Sequence, residues 1–283
     1  MGSDTRTLTT RDGCALACRD TGGDGVPIVL LHGWSQSQAM FDRLVALLRP
    51  GHRVVTYDMR NHGVSGRTGE GARVSALAAD LGQVLSGLGI DRAHLVGHSM
   101  GASVLWSYLE LYGPERVQSL VFVDQPTACT VLPWLDPSEA PEAGAILDYA
   151  GAGAFAAGLL SDTADTVRHE FLTSMLTRQI PPQDLDWLYE QNLLLPMPWG
   201  ARLLLDHVMQ DWRDVLGRIG APTLVIGGEA SHVDPTSQAW TAAHIPGAQL
   251  RIMTEAEGGA HFSFFESPHA FARVLADFVG RVP

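Results

Sequence analysis

Three residue types that together can activate a hydroxyl occur in restrictive settings. Residues 97–101 read Gly97-His98-Ser99-Met100-Gly101, directly after an apolar run and directly before a helical pattern. A serine at a sharp strand-to-helix turn is lifted clear of the sheet, beside free helix N–H groups that favour developing negative charge. The turn is strained, so its neighbours must lack a Cβ, and the flanking glycines meet that need. The string alone is only suggestive, and a glycine-rich turn capped by serine is its bland alternative. Of eleven histidines, His261 is the best candidate base, because it follows Gly258-Gly259 in a loop after the last strand pattern. A surface loop histidine is the competing explanation.

The acid is less clear. Asp124 ends the apolar run Val117–Val123, and a carboxylate at the end of a buried central strand is costly unless it has partners. It also falls on the same sheet edge as Ser99, one strand along. A turn-forming aspartate in Asp124-Gln125-Pro126 is the plainer reading. Asp234 is the alternative acid, but it precedes Pro235, and an N-cap aspartate followed by proline explains it structurally. Glu229 lies too close to a strand end to face the same way.

The elements that must position these residues are legible as alternation. Strand-like runs at Pro27–Leu31, Arg53–Tyr57, Ala93–Val96 and Val117–Val123 alternate with helical spacing at Ala39–Leu48, Val74–Leu88 and Ser99–Tyr112. The pattern predicts a mainly parallel, doubly wound α/β sheet whose strand C-termini share one edge. Between Thr127 and Leu216 the alternation stops, and helical patterns carry Trp134, Trp187, Trp199 and Trp212. Gly151-Ala152-Gly153-Ala154 reads there as a turn or a flexible helix start. Strand and helix patterns resume at Pro222–Ile226, Thr236–His244, Gln249–Met253 and His269–Val279. The expected organisation is a core of residues 1–126 and 217–283, interrupted by a helical cap or lid at 127–216.

With these motifs in place, the chain resembles the α/β-hydrolase fold family nearly end to end. The resemblance rests on His32-Gly33-Trp34, on Asp58-Met59-Arg60-Asn61-His62-Gly63, on the Ser99 turn, and on Gly259-Ala260-His261-Phe262. Arg60-Asn61-His62-Gly63 stands where Arg-Gly-His-Gly is more usual. The capped members it is similar to include esterases, lactonases and the so-called non-haem haloperoxidases. The resemblance implies Ser99 as nucleophile, His261 as base, and the backbone N–H groups of Trp34 and Met100 as oxyanion hole. His32, His98 and Asp58 read as structural hydrogen-bonders beside these turns. Most relatives carry the acid two residues beyond a Gly-Glu pair; here that slot after Gly228-Glu229 holds Ser231. Some relatives place the acid where Asp124 stands, so Asp124 is the preferred choice over Asp234.

Composition excludes several other functions. The chain has 283 residues, 46% of them hydrophobic, a formal net charge of −12 and a pI near 5.2. That charge argues against a nucleic-acid partner, and no apolar stretch is long enough to predict a membrane span. All 19 basic residues are arginines. Without lysine there is no Schiff base, no lysine-linked pyridoxal phosphate and no Walker phosphate loop. Cys14, Cys18 and Cys129 form no metal or redox pattern, and the polar N-terminus shows no secretory signal, so reduced thiols and a cytoplasmic setting are expected. The leading expectation is a serine hydrolase, free of metal and cofactor, that cleaves an ester, thioester or lactone of a small hydrophobic substrate. Cofactor-independent His–Asp base chemistry (oxygenation or elimination) and a non-catalytic ligand receptor are the alternatives.

Overall fold

In the computed structural model, which describes residues 4–282, the apolar runs become one sheet covered on both faces. The chain lays down β1 (Asp4–Thr9), β2 (Ala15–Asp20), β3 (Ile28–Leu31), α1 (Asp42–Leu48), β4 (Val54–Tyr57), α2 (Val74–Gly87), β5 (Ala93–His98), α3 (Met100–Tyr112) and β6 (Val117–Val123). A long excursion follows: β7 (Thr130–Val131), α4 (Ala140–Ala143), β8 (Leu147–Asp148), α5 (Tyr149–Gly158), α6 (Ala164–Ser174), α7 (Pro182–Leu193), α8 (Trp199–Val208) and α9 (Arg213–Leu216). The chain then returns through β9 (Thr223–Gly228), α10 (Pro235–His244), β10 (Gln249–Met253), α11 (Ser263–Glu266) and α12 (Pro268–Val279).

Among the described residues the sheet order is β1-β2-β4-β3-β5-β6-β9-β10, antiparallel at β1/β2 and β2/β4 and parallel from β4 onwards. Alternation along each strand divides the core. Val29, Leu31, Leu95, Leu120 and Phe122 pack beneath α2 and α3, while Ile28, Leu30, Val96, Val121 and Val123 face α1 and α12. Helix α12 meets that second face with Phe271, Leu275 and Phe278, an apolar stripe at helical spacing.

Register sets the site. His98 pairs with Val123, so β5 and β6 end level with one another, while β9, whose Ile226 pairs with Val123, runs two residues further to Gly228. The residues that follow β5 and β6 therefore stand side by side at one edge. The chain winds outward in opposite directions from β3 and β5, which makes the gap between their C-terminal loops the switch point where open α/β sheets bind ligands.

Two buried clusters hold the loops of that edge. Arg60 bonds Asp80 of α2 at 2.7 Å and Asp12 at 2.8 Å, and its guanidinium holds the Asp12 carboxyl at about 2. Asp58 accepts from the N–H groups of Gln38 and Val64, at 2.7 and 3.0 Å. The excursion is tied to the core at several points: Arg43 to Asp184, Trp199 Nε1 to the Glu70 carbonyl, and the Val74 N–H to Asp206.

Two features differ from the sequence reading. The N-terminal hairpin β1–β2 has no clear apolar run, since its strands sit at the sheet margin and mix charged with apolar positions. Residues 151–154 are neither turn nor frayed helix start; they form the body of α5, which Asp148 caps through the Gly151 N–H. Small residues are tolerated there because Ala152 and Ala156 pack tightly beneath neighbouring helices. No helix among the described residues is long and apolar enough to cross a membrane.

Burial keeps the imidazoles of His32, His62, His98 and His207 below their usual range, with His207 at about 4. Each is neutral when folded, whereas the unfolded chain takes up protons below about pH 6.5. Stability is therefore full above that value and declines as pH falls towards the folded pKa. For His207 the loss between pH 7 and pH 5 is about 2 kcal/mol. Chemical denaturation at both pH values should show wild type losing about 2 kcal/mol more than His207→Leu. Equal losses would contradict a neutral buried His207.

Candidate active site

The turn after β5 is as tight as the sequence pattern demands. Ser99 has φ 53° and ψ −129°, a region that side chains rarely occupy, and it begins α3. A Cβ on Gly97 would come within 2.5 Å of the Gly101 carbonyl oxygen, and one on Gly101 within 2.6 Å of the Leu31 carbonyl oxygen. Both glycines are required by close backbone approach. Gly33 is the same case across the switch point: a Cβ there would meet the Ser99 Cβ at 3.0 Å. The loop after β3 is thereby pressed against Ser99, and the N–H groups of Trp34 and Met100 donate to no acceptor among the described residues.

Asp124 ends β6 as Ser99 ends β5, also with φ 53°. Its buried carboxylate has three partners. Oδ2 accepts from Nδ1–H of His261 at 2.6 Å and from the Ser231 hydroxyl at 2.5 Å, and Oδ1 accepts from the Gly228 N–H at 3.2 Å. Ser231 stands in the slot where an acid was expected, and it spends its hydroxyl on the carboxylate one strand away. That role was not legible, because nothing in the sequence pairs residue 231 with residue 124. Asp234 is elsewhere: it is exposed and caps α10 through the Thr236 N–H at 2.8 Å. Glu229 turns away and accepts from the Glu255 N–H.

The bond to Asp124 places the imidazole proton on Nδ1, leaving the lone pair of Nε2 free. Neither Nε2 of His261 nor Oγ of Ser99 has a hydrogen-bond partner among the described residues, and both residues line one cavity of about 50 Å³. The His261 imidazole and the Ser99 hydroxyl thus share one chamber without a hydrogen bond between them. The loop of His261 is clasped from two sides. His98 Nε2–H donates to the His261 carbonyl at 3.0 Å, and the His261 N–H donates to the Met175 carbonyl at the end of α6. His32 has a similar structural task, since its Nε2 accepts from the Met59 N–H at 3.0 Å.

Helices of the excursion roof this chamber. Trp34 Nε1 donates to the Gly200 carbonyl at 2.8 Å, and Phe171, Met175, Leu204 and Val208 complete apolar walls. No arginine, aspartate or glutamate is among the residues lining it. Burial pushes the Cys129 thiol up to about 12, so this cavity cysteine stays protonated and is a poor nucleophile. His232, unmarked by the sequence reading, lies with its ring 4.6 Å from that of His261, and burial and the nearby His261 hold it neutral. Donor atoms of Asp124, His232 and His261 fall within 4.8 Å of one another. Two of the three are already joined by the 2.6 Å bond from Nδ1 of His261 to Oδ2 of Asp124. A wider surface groove of about 570 Å³, near Asp184, Glu255 and Glu266, contains neither Ser99 nor a histidine.

A mainly parallel sheet with a serine at its central strand-to-helix turn, and a paired histidine from the chain's far end, is the architecture of a hydrolase. The chain belongs to the alpha/beta hydrolase fold family, whose model matches residues 26–268. It is 31% identical over 253 residues to a putative non-heme chloroperoxidase of Synechocystis, covering 84% of this chain and 86% of that protein. It is 27% identical to 3-oxoadipate enol-lactonase 1 of Acinetobacter baylyi, covering 96% of each. Among solved structures, the bromoperoxidase of Bacillus anthracis superposes with a TM-score of 0.87 at 24% identity, covering 98% of this chain and all of that one.

The two candidate acids separate experimentally. Asp124→Asn should abolish the far-downfield proton resonance of the His261 Nδ1–H, whereas Asp234→Ala should leave it in place and cost about 1 kcal/mol of stability. The opposite pattern would reassign the partner of His261.

Proposed function

We propose that this hydrolase cleaves a carboxylic ester, thioester or lactone through an acyl-enzyme on Ser99. The observation that carries the reading is the 2.6 Å bond from His261 to Asp124, which leaves Nε2 free in the chamber that Ser99 lines. As the Ser99 Oγ–acyl bond forms, its proton passes to Nε2 of His261. The N–H groups of Trp34 and Met100 take, in this reading, the negative charge that develops on the carbonyl oxygen. His261 then delivers its proton to the departing oxygen or sulfur as that bond breaks. Water, giving its proton to Nε2, attacks the acyl carbon, and the Ser99 oxygen leaves and recovers the proton. Asp124 holds the ring in the required tautomer and offsets the imidazolium charge.

Residues 127–216 act in this reading as a cap that excludes bulk water, and their apolar walls suit a small, largely hydrophobic substrate. The enol-lactonase it resembles acts on an ester bond closed into a ring, which fits this reaction class. Haloperoxidase activity, carried in the names of other relatives, would arise at the same three residues.

One observation favours a second reading. His261 and Asp124 are joined while Ser99 and His261 are not, so the pair could act as a base on substrate, with Ser99 only positioning it. Turnover by Ser99→Ala separates the two. On a panel of p-nitrophenyl esters, thioesters and lactones, the variant should lose at least about 1000-fold in kcat. Partial retention of activity would support base-driven chemistry.

A fluorophosphonate should label Ser99, and labelling should be lost in His261→Ala. The acid should also be movable. Because Ser231 touches the Asp124 carboxylate, Asp124→Asn combined with Ser231→Asp should recover at least about tenfold of the activity lost in Asp124→Asn. No recovery would contradict a common reach of positions 124 and 231 to His261.

A further inference from the structure

The cavity holds polar groups that the reaction does not use. Gln36 follows Trp34 by two residues, is buried, and has neither its Oε1 nor its Nε2 bonded within the protein. His207 of α8 is buried on the roof side, with Nδ1 unpartnered and Nε2 only in loose contact, 4.0 Å, with Cys129 Sγ. His232, beside His261, likewise has a buried and unpartnered Nδ1. All three residues line the chamber that contains Ser99.

Buried polar atoms are almost always satisfied, so three such residues around one small cavity require an explanation. Elsewhere among the described residues each buried amide makes at least one bond, and Gln238, whose Oε1 is unpartnered, still donates from Nε2 to the Gln125 carbonyl. Gln38 reaches Asp58, Thr56 and a backbone carbonyl, and Asn192 reaches Ser35 and Arg168. Among the described residues Gln36 is the buried amide with both ends unbonded. Polar atoms such as Tyr57 Oη and Trp106 Nε1 also lack partners, but Gln36, His207 and His232 share one cavity, where an entering ligand can satisfy them.

Their chemistry specifies the ligand. An amide both donates and accepts, and a neutral imidazole does so through its two nitrogens. Burial keeps His207 and His232 neutral, and no arginine lines the chamber. The buried guanidinium of Arg168 is committed to Asn192 and is not part of the wall. A substrate carboxylate would enter without a counter-ion and lie near the Asp124 charge, an unfavourable burial. An uncharged hydroxyl, ketone or amide would find both donors and acceptors.

We propose that the acyl part of the substrate carries an uncharged hydrogen-bonding group, recognised by Gln36 with His207 and His232, and that acyl groups bearing a carboxylate are rejected. This rests on the ester-cleaving reading of Ser99, and goes beyond it by assigning specificity to residues outside the reacting set. A pocket built to hydrogen-bond a substrate group discriminates strongly against an analogue lacking it, because its own polar atoms are then left unpaired.

The test compares p-nitrophenyl 3-hydroxybutyrate, p-nitrophenyl butyrate and mono-p-nitrophenyl succinate on wild type, Gln36→Leu and His207→Leu. For wild type, kcat/KM should favour the hydroxy ester over butyrate by at least about tenfold, and succinate should fall at least about 100-fold below butyrate. In both variants the ratio of hydroxy ester to butyrate should drop towards one. That ratio is internal to each protein, so loss of folded material does not move it. A wild-type ratio near one, a ratio unchanged in both variants, or succinate turned over as well as butyrate would overturn the proposal while leaving ester hydrolysis intact. Failure of all three esters together with absent fluorophosphonate labelling would instead contradict the hydrolase reading, and this proposal with it.

Discussion

A single buried hydrogen bond, from His261 to Asp124, organises the edge of the sheet where Ser99 stands. A carboxylate sealed among apolar strands is unfavourable unless its lone pairs are occupied, and here a ring N–H, a hydroxyl and a backbone N–H occupy them. Satisfying Asp124 therefore also fixes the ring of His261, its tautomer and the direction of its free nitrogen. The geometry that lowers the cost of burial is also the geometry that leaves Nε2 of His261 unbonded. The residues come from positions 124, 228, 231 and 261, so the interaction also fastens the ends of β6 and β9 to the loop after β10.

The surrounding structure reads as support for that bond. Level strand ends bring Ser99 and Asp124 to one edge, and glycine at 97, 101 and 33 lets three backbone segments approach closer than a Cβ permits. His98 joins the Ser99 turn to the His261 loop. Trp34 ties the loop after β3 to α8, and the Met175 carbonyl ties α6 to residue 261. The helical excursion is thus anchored to the same loops that hold Ser99 and His261. Its position and the polarity of the chamber beneath it are set together.

Much of this was legible in the residues, and the boundary of legibility has physical causes. Strands β3 to β6 carry continuous apolar runs because both faces of the sheet are covered, whereas β1 and β2 at the margin are mixed and gave no such signal. The Ser99 turn was visible because its glycines flank it in sequence, although only Gly97 is dictated by local backbone and Gly101 by the Leu31 carbonyl. Asp124 could be argued from the cost of a carboxylate at a strand end, and the exposed capping geometry of Asp234 agrees with its Asp-Pro signature. Ser231 was noticed as an oddity without a role, because its partner is 107 residues away. Gln36, His207 and His232 carried no local signal. Their shared cavity depends on how α6 and α8 cross the sheet edge, and periodicity does not encode that crossing.

In the proposed reaction Asp124 holds His261 so that it can take the Ser99 proton during acylation. Rapid-quench mass spectrometry of the reaction with p-nitrophenyl acetate measures that step directly. An acetyl adduct is expected on Ser99, forming at least about 1000-fold more slowly in Asp124→Asn than in wild type. An adduct forming equally fast in both proteins, or found on a residue other than Ser99, would contradict it.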